Sequence, residues 1–468
     1  MLSLHPDLRL LWFIAEWLVR IGALAIVPLR RSPAATTSWL LLIFFFPDVG
    51  LLLYLLIGRP RFPAERAQRW QKLHPFYADV AKQLEAAAGC VASEAKRFAC
   101  TLGRMPCTQG NTVELIDDYD GVIARLVADI DAAAHHVDLL VYIFADDAVG
   151  QRITGALGRA IKRGVRCRVM FDPVGSHRWR RGTLQMLRDA GVEVREALPV
   201  RLLWRRSRAD MRNHRKLFVI DGVIGYAGSQ NLVAKDFRPG VVNRELVARV
   251  TGPAVASMAA VVAGDWAIEG SEPMAPPPVT IPDMAGDAHV QLLPSGADYR
   301  LEGFETLLVW QLHRASRHVV LVTPYFIPDG DVIGAMRSAA ARGVTVDLVV
   351  SAVVDQRIVH LAQCSYFDEL LAAGIRIHAY RDYLLHAKNV SIDDALGVVG
   401  SSNVDLRSFQ LNEEASLLLH DADTIARLKT IQAAYIAASD RLELDSWRAR
   451  SRLRRLPENI ARMMSPLL

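Results

Sequence analysis

Two apolar runs open the chain. Leu8 to Pro28 is long enough for one helix across a bilayer but is interrupted by Arg9, Glu16 and Arg20, whereas Ser38 to Ile57 carries only Asp48 as a charge. About twenty apolar residues span a hydrocarbon core, and breakers such as Pro47 and Gly50 are tolerated in membrane helices. Glu16 and Arg20 stand at helical i,i+4 spacing, where pairing lowers the cost of burying either. Residues 1–60 are therefore expected to form a transmembrane helical hairpin. A buried hairpin in a soluble protein is the rival for both runs, and a signal peptide for the first. The lack of a small-x-small cleavage site and the immediate second run weigh against the signal peptide. Arg59, Arg61, Arg66, Arg69 and Lys72 follow the second run, against Arg30 and Arg31 between the runs. The positive-inside rule then places the large C-terminal body on the cytoplasmic side.

Residues 61–110 read as a linker with one polar helix around Ala78 to Arg97. From Asn111 the period changes. Thr112 to Ile116 is strand-like, and Gly121 to Ala134 carries Val122, Ile123, Leu126, Val127 and Ile130 on one helical stripe. Val137 to Phe144 is a β-branched and aromatic run, hence a buried strand. Arg152 to Arg163 is a helix stopped by Gly164, Val165 to Phe171 a strand, and Leu184 to Ala190 a helix stopped by Gly191. Residues 269–289 hold Pro273, Pro276, Pro277, Pro278 and Pro282 without apolar periodicity and read as a linker. The pattern then restarts. Val290 to Leu293 answers Thr112 to Ile116, Gly303 to Ala315 answers Gly121 to Ala134, and Val319 to Ile327 answers Val137 to Phe144. Two α/β units, 111–268 and 290–468, are expected to pair, each a sheet flanked by helices.

The chemistry lies in one stretch that occurs in both units. His214-Arg215-Lys216 is followed by Asp221 and by Gly228-Ser229-Gln230-Asn231; His386-Ala387-Lys388 is followed by Asp393 and by Gly400-Ser401-Ser402-Asn403. In both copies Ser lies fifteen residues after His and Asn seventeen. His and Lys two apart share one strand face, a sensible placement around an anionic phosphate. Lys supplies a point charge, and His can attack or move a proton. Ser and Asn would add donors for the non-bridging oxygens. Pairing the units gives one His as nucleophile and the other as general acid and base. Glu245 and Glu414 follow the motifs at comparable places and would accept a hydrogen bond from an imidazole. Asp221 and Asp393 suit a turn after the strand.

Composition narrows this only a little. The 468 residues hold 55 Lys and Arg against 50 Asp and Glu, a net charge of +5, which permits attraction to phosphate or an anionic membrane without requiring it. Arg201, Arg205, Arg206, Arg208 and Arg212, and again Arg448, Arg450, Arg452, Arg454 and Arg455, form two basic stretches that would suit anionic headgroups or a solvated helix face. Five scattered cysteines include no C-x-x-C pair, so neither a zinc site nor a disulfide framework is indicated. No metal-ligand cluster accompanies the motifs, and the two lysines would supply the charge that a metal supplies elsewhere.

The duplicated H-x-K-x-x-x-x-D with G-S-x-N resembles the phospholipase D superfamily, over residues 111 to about 440. The resemblance implies phosphodiester chemistry through a phosphohistidine, without metal or cofactor, with His214 as nucleophile and His386 as acid and base. It places Asp221 and Asp393 with Lys216 and Lys388 in the motif. Trp39-Leu40-Leu41, Pro47-Asp48-Val49-Gly50, Tyr54-Leu55, Gly58, Arg212-Asn213-His214-Arg215-Lys216, Thr323-Pro324-Tyr325-Phe326-Ile327-Pro328 and Ser465-Pro466-Leu467-Leu468 are similar to bacterial cardiolipin synthases. Asp48, where an apolar residue is usual, departs from that pattern. The implied reaction joins two phosphatidylglycerol molecules into cardiolipin and glycerol at the inner membrane. The implied partners are those two lipids in an anionic membrane, with no nucleic acid. A hydrolytic phospholipase D or another head-group transferase would use the same groups. A nuclease of the superfamily and a membrane scaffold with a dead site are the more distant alternatives.

Overall fold

The computed structural model describes residues 6–30, 33–58, 64–199, 210–270, 275–299 and 301–465. The basic positions Arg201, Arg205, Arg206 and Arg208, with Arg31, Arg59, Arg61, Pro273 and the last three residues, lie outside them.

One sheet of fifteen strands runs through the body. The first unit supplies β1 (Thr108–Ile116), β2 (His136–Val141), β3 (Arg166–Phe171), β4 (Glu193–Glu196), β5 (Leu217–Ile220), β6 (Ile224–Gly228) and β7 (Val247–Thr251). The second supplies β8 (Ala288–Ser295), β9 (His318–Val322), β10 (Thr345–Ser351), β11 (Arg376–Tyr380), β12 (Asn389–Ile392), β13 (Leu396–Gly400), β14 (Glu414–Leu419) and an added edge strand, β15 (Ser439–Leu442). The order is β15-β11-β10-β9-β12-β13-β14-β8-β1-β7-β6-β5-β2-β3-β4. Read outward from the antiparallel β1–β8 pair, both halves show the same succession, so the duplication folds as two copies joined back to back.

Each half covers one face with its own helices. Tyr119–Ala132 and Ala148–Lys162 bury Val122, Ile123, Leu126, Ile153 and Leu157 over the first half; Gly303–Arg314, Gly330–Ala341 and Arg357–Ala372 do the same over the second. The opposite face has a core shared by both units. Its centre is the helix Ala254–Ile268, apolar all round and buried at nearly every position, the signature of a helix enclosed on all sides. The polar helix expected around Ala78 to Arg97 is two helices, His74–Ala88 and Glu94–Gly103. Gly89 turns the chain into extended backbone, and Ser93 starts the second helix by accepting a hydrogen bond from the Lys96 amide.

The N-terminal region differs from the expected pair of spanning helices. α1 (Pro6–Ile26) is long enough but carries Asp7, Arg9, Glu16 and Arg20. The second run is broken into α2 (Pro33–Phe45) and α3 (Pro47–Ile57). Pro47 forces the break: it disfavours helical geometry in the residue before it, and Phe46 sits at φ −135°. α3 folds back on α2, and a Cβ on Gly50 would lie 2.7 Å from the Ile43 Cα. Among the described residues no helix is long and apolar enough to cross a membrane. Glu16 and Arg20 do pair, at 3.0 Å, and Arg20 also donates to the Phe44 carbonyl near the break.

Asp221 and Asp393 close the far ends of β5 and β12. The Asp221 carboxylate accepts from the amides of Ala134, His135 and His136 at 2.7–2.8 Å. Asp393 accepts from those of Ser316, Arg317 and His318 at 2.8–2.9 Å. At about 3.3 Å per strand residue, each lies roughly 20 Å from its motif histidine. Partial burial raises each carboxyl, but the three amides outweigh it and hold it below the usual range. Both residues also adopt left-handed backbone, φ 53°, which Asp tolerates better than most. Asp221→Ala or Asp393→Ala should cost about 2 kcal/mol of stability through these orphaned amides. The check is a lowered thermal midpoint, with kcat of the folded protein within about threefold of the parent at a permissive temperature.

Candidate active site

The stretch leading into each motif histidine pairs with the stretch leading into the glutamate of the other unit. Asn213 bridges Glu413 in parallel, with His214 N donating to Glu413 O and Glu413 N to Arg212 O, both at 2.8 Å. In the mirror arrangement Leu384–Leu385 pairs with Asn243–Arg244, and His386 N donates to Arg244 O at 2.8 Å. This backbone pairing sets each histidine against a carboxylate from the other unit. His214 Nδ1 lies 2.9 Å from Glu414 Oε1, and His386 Nδ1 lies 2.7 Å from Glu245 Oε1. An ionised carboxylate can only accept, so Nδ1 carries the proton in each case and Nε2 keeps its lone pair.

Both imidazoles line one cavity of about 310 Å³, with Tyr142, Asn231, Phe237, Arg238, Asn243, Tyr325, Asn403, Asp405, Arg407 and Asn412 also in its wall. They are only 8% and 9% exposed. Burial pushes each pKa down to about 4 against the raising effect of its glutamate, so each ring is neutral near pH 7. Burial also raises the two glutamates, but the facing histidine and the nearby lysine outweigh it and keep them ionised.

Lys216 and Lys388 are buried, and each donates to the carbonyl of its own histidine, at 2.7 and 2.5 Å. Burial depresses them to about 7 and 8, opposed by the two glutamates and assisted for Lys216 by the charge of Lys388. A bound phosphate would restore their charge. The serines are placed differently from the expected donors to phosphate. Ser229 accepts from Leu246 N, and Ser401 accepts from Ala415 N while donating to Glu414. They therefore brace the segments that carry the two glutamates, and neither lines the cavity. Asn231 and Asn403 do line it, Asn231 fixed by the Ile143 amide at 3.1 Å. The buried side-chain oxygens of Asn243, Asn403 and Asn412 have no hydrogen-bond partner among the described residues.

Several neighbours gave no signal in the sequence. Tyr142 packs edge-on to His214 at 4.8 Å and lies 5.4 Å from the Lys216 ammonium. Asp172 is fully buried and receives Asn213 N at 3.1 Å. Arg215 alternates away from His214 and Lys216, as strand geometry requires. It meets Asp265 at 2.7 Å and Glu413 at 2.5 Å, so one side chain ties the central helix of the first unit to the second unit. Its counterpart is Ala387. The one available cue was its place between the motif His and Lys, which says nothing about its partners.

The sequence profile described as "Cardiolipin synthase, PLD-like domain" matches residues 126–266 and 308–434, and "Phospholipase_D-nuclease N-terminal" matches 10–59. Cardiolipin synthase A of Pectobacterium atrosepticum is 33% identical, with both chains covered in full. Cardiolipin synthase A of Salmonella gallinarum is also 33% identical, over 97% of this chain and 99% of its own. The chain belongs to the bacterial cardiolipin synthases of the phospholipase D superfamily. The crystal structure of a phosphatidylserine synthase from Haemophilus influenzae shares the fold at TM-score 0.56 and 14% identity, over 83% of this chain and 96% of that one. A polyphosphate kinase from Porphyromonas gingivalis aligns at TM-score 0.50 and 15% identity, over 74% of this chain and 49% of its own.

Within this family frame the crossed pairs make two expectations. Glu245→Gln or Glu414→Gln leaves the imidazole tautomer unenforced and should lower kcat by roughly 10–100-fold, read as turnover of variants with unchanged thermal midpoints. The profile of kcat/KM should fall on the alkaline side as pH rises through about 7 to 8, where Lys216 and Lys388 lose their charge. On the acid side it should fall as pH drops toward 4, where the His214 imidazole is protonated. A flat profile from pH 5 to 9 would contradict these assignments.

Proposed function

We propose that this phosphatidyltransferase joins two phosphatidylglycerol molecules through a phosphatidyl-histidine intermediate. The observation that carries the proposal is two histidines from different units on one cavity, each oriented through Nδ1 by the other unit's carboxylate. His386 takes up a proton at Nε2 when the phosphodiester anion binds beside it. His214 Nε2 then attacks phosphorus, the bond from phosphorus to the head-group glycerol oxygen breaks, and the His386 imidazolium delivers that proton to the departing glycerol oxygen. Neutral His386 then takes the proton from a glycerol hydroxyl of the second phosphatidylglycerol, whose oxygen attacks phosphorus as the bond to His214 breaks. Cardiolipin and glycerol are the products. Lys216 and Lys388 offset the growing charge on the phosphoryl oxygens, and the asparagine amides of the wall suit the glycerol hydroxyls. No step calls for a metal or cofactor.

The same reading places the body at the cytoplasmic face of the inner membrane. α1 to α3 expose Leu10, Leu11, Phe13, Leu18, Phe45, Leu52, Leu55 and Leu56, an apolar surface far larger than a soluble protein leaves to water. In this reading the three helices sit in the bilayer as a hairpin whose second arm is broken at Pro47.

Purified protein given phosphatidylglycerol alone should release glycerol and cardiolipin in equal amounts; phosphatidic acid as the sole product would instead mark a hydrolase. With phosphorus-labelled lipid, His386→Ala protein should retain acid-labile label and His214→Ala protein none, both with kcat reduced at least a thousandfold. Label retained by the His214→Ala protein would reverse the roles of the two histidines.

A further inference from the structure

The helix Arg452–Met463 has two faces with different fates. Its inner face is clamped to the helix Arg357–Ala372. Arg462 donates to Glu369 at 2.8 Å and its guanidinium lies 4.4 Å from the Tyr366 ring centroid, while buried Glu458 accepts at 2.7 Å from Arg450, just ahead of its own helix. The outer face presents Leu453, Leu456, Ile460, Met463 and Met464. These recur at i, i+3, i+7, i+10 and i+11, one stripe of a helix, and Leu453 is 82% exposed. Arg452 and Arg454 are exposed at the edges of the stripe, and the helix's single carboxylate, Glu458, faces inward.

Two contacts say what covers this face. Ser38 of α2 donates to the Met463 carbonyl at 2.8 Å, so the C-terminal end of the stripe lies against the N-terminal helices that carry the exposed apolar surface. Two residues further on, Ser465 lines the catalytic cavity. We propose that Arg452–Met463 is an interfacial helix that lies in the plane of an anionic bilayer, apolar stripe down and arginines at the headgroups, and holds the mouth of the cavity at the lipid surface. The length, the segregated faces and the basic edges are those of helices that lie in a membrane interface. This rests on the reading of phosphatidylglycerol as substrate and adds a second attachment to the hairpin, two residues from the cavity wall at Ser465.

The test is full-length protein carrying Leu453→Ser, Leu456→Ser and Ile460→Ser, three surface positions outside the catalytic machinery. Cardiolipin formation from long-chain phosphatidylglycerol in vesicles should fall at least tenfold, and that from short-chain phosphatidylglycerol dispersed as monomers should stay within twofold. An unchanged rate on vesicles, or equal losses on both substrates, overturns the proposal. So does a parent protein that is oligomeric in detergent while the variant is monomeric, which would make the stripe an interface between copies. If the parent made no cardiolipin from either substrate, the transfer reading would fail instead. The helix is then read by amide exchange over 452–463, several-fold slower in phosphatidylglycerol nanodiscs than in phosphatidylcholine ones, and equal exchange would overturn it.

Discussion

The site depends on one exchange: each unit orients the histidine of the other. Glu414 holds His214 and Glu245 holds His386, through parallel backbone pairs that cross from unit to unit. Neither unit alone therefore contains an oriented imidazole. The sheet makes the exchange possible. The antiparallel β1–β8 pair relates the halves by an approximate two-fold, and under a two-fold a contact made once is made twice. The cavity forms where the two crossed pairs meet.

Around this near-symmetric centre the chain is asymmetric, and the asymmetry is electrostatic. Arg215 is buried against Asp265 and Glu413, whereas its counterpart is Ala387. A second buried arginine, Arg66, pairs with Glu269 and Asp298, and it lies on the helix that follows the N-terminal hairpin. Removing one member of such a pair strands an uncompensated charge in the interior, so these pairs fix the arrangement of the hairpin side, the first unit and the second unit relative to the cavity.

The N-terminal helices show how one residue decides a local outcome. Ser38 to Ile57 has the apolar content of a span, but the constraint that Pro47 places on Phe46 splits it, and Gly50 lets the returning helix close on Ile43. Composition measures how much lipid-compatible surface a segment has. Its path depends on where the backbone can bend. The Arg20 donation to Phe44 O shows the same logic, with an arginine paired to Glu16 also satisfying a carbonyl near the bend.

The sequence by itself determined the duplication, the α/β class and the family, because repeated residue types at fixed offsets survive in a one-dimensional string. His214, His386, Lys216, Lys388, Asn231 and Asn403 were legible in this way, and the structure brings them together around or beside one cavity. It also suggested that Glu245 and Glu414 serve imidazoles, but spacing along the chain could not say which, since partners drawn from 200 and 141 residues away leave no local trace. The tertiary structure decided that the pairs cross, that Ser229 and Ser401 brace backbone near the glutamates, and that Asp221 and Asp393 cap distant strand ends despite their place in the motif. Tyr142, Asp172 and the partners of Arg215 became visible only there. Their roles come from packing between segments remote in sequence, and that proximity is created by the fold.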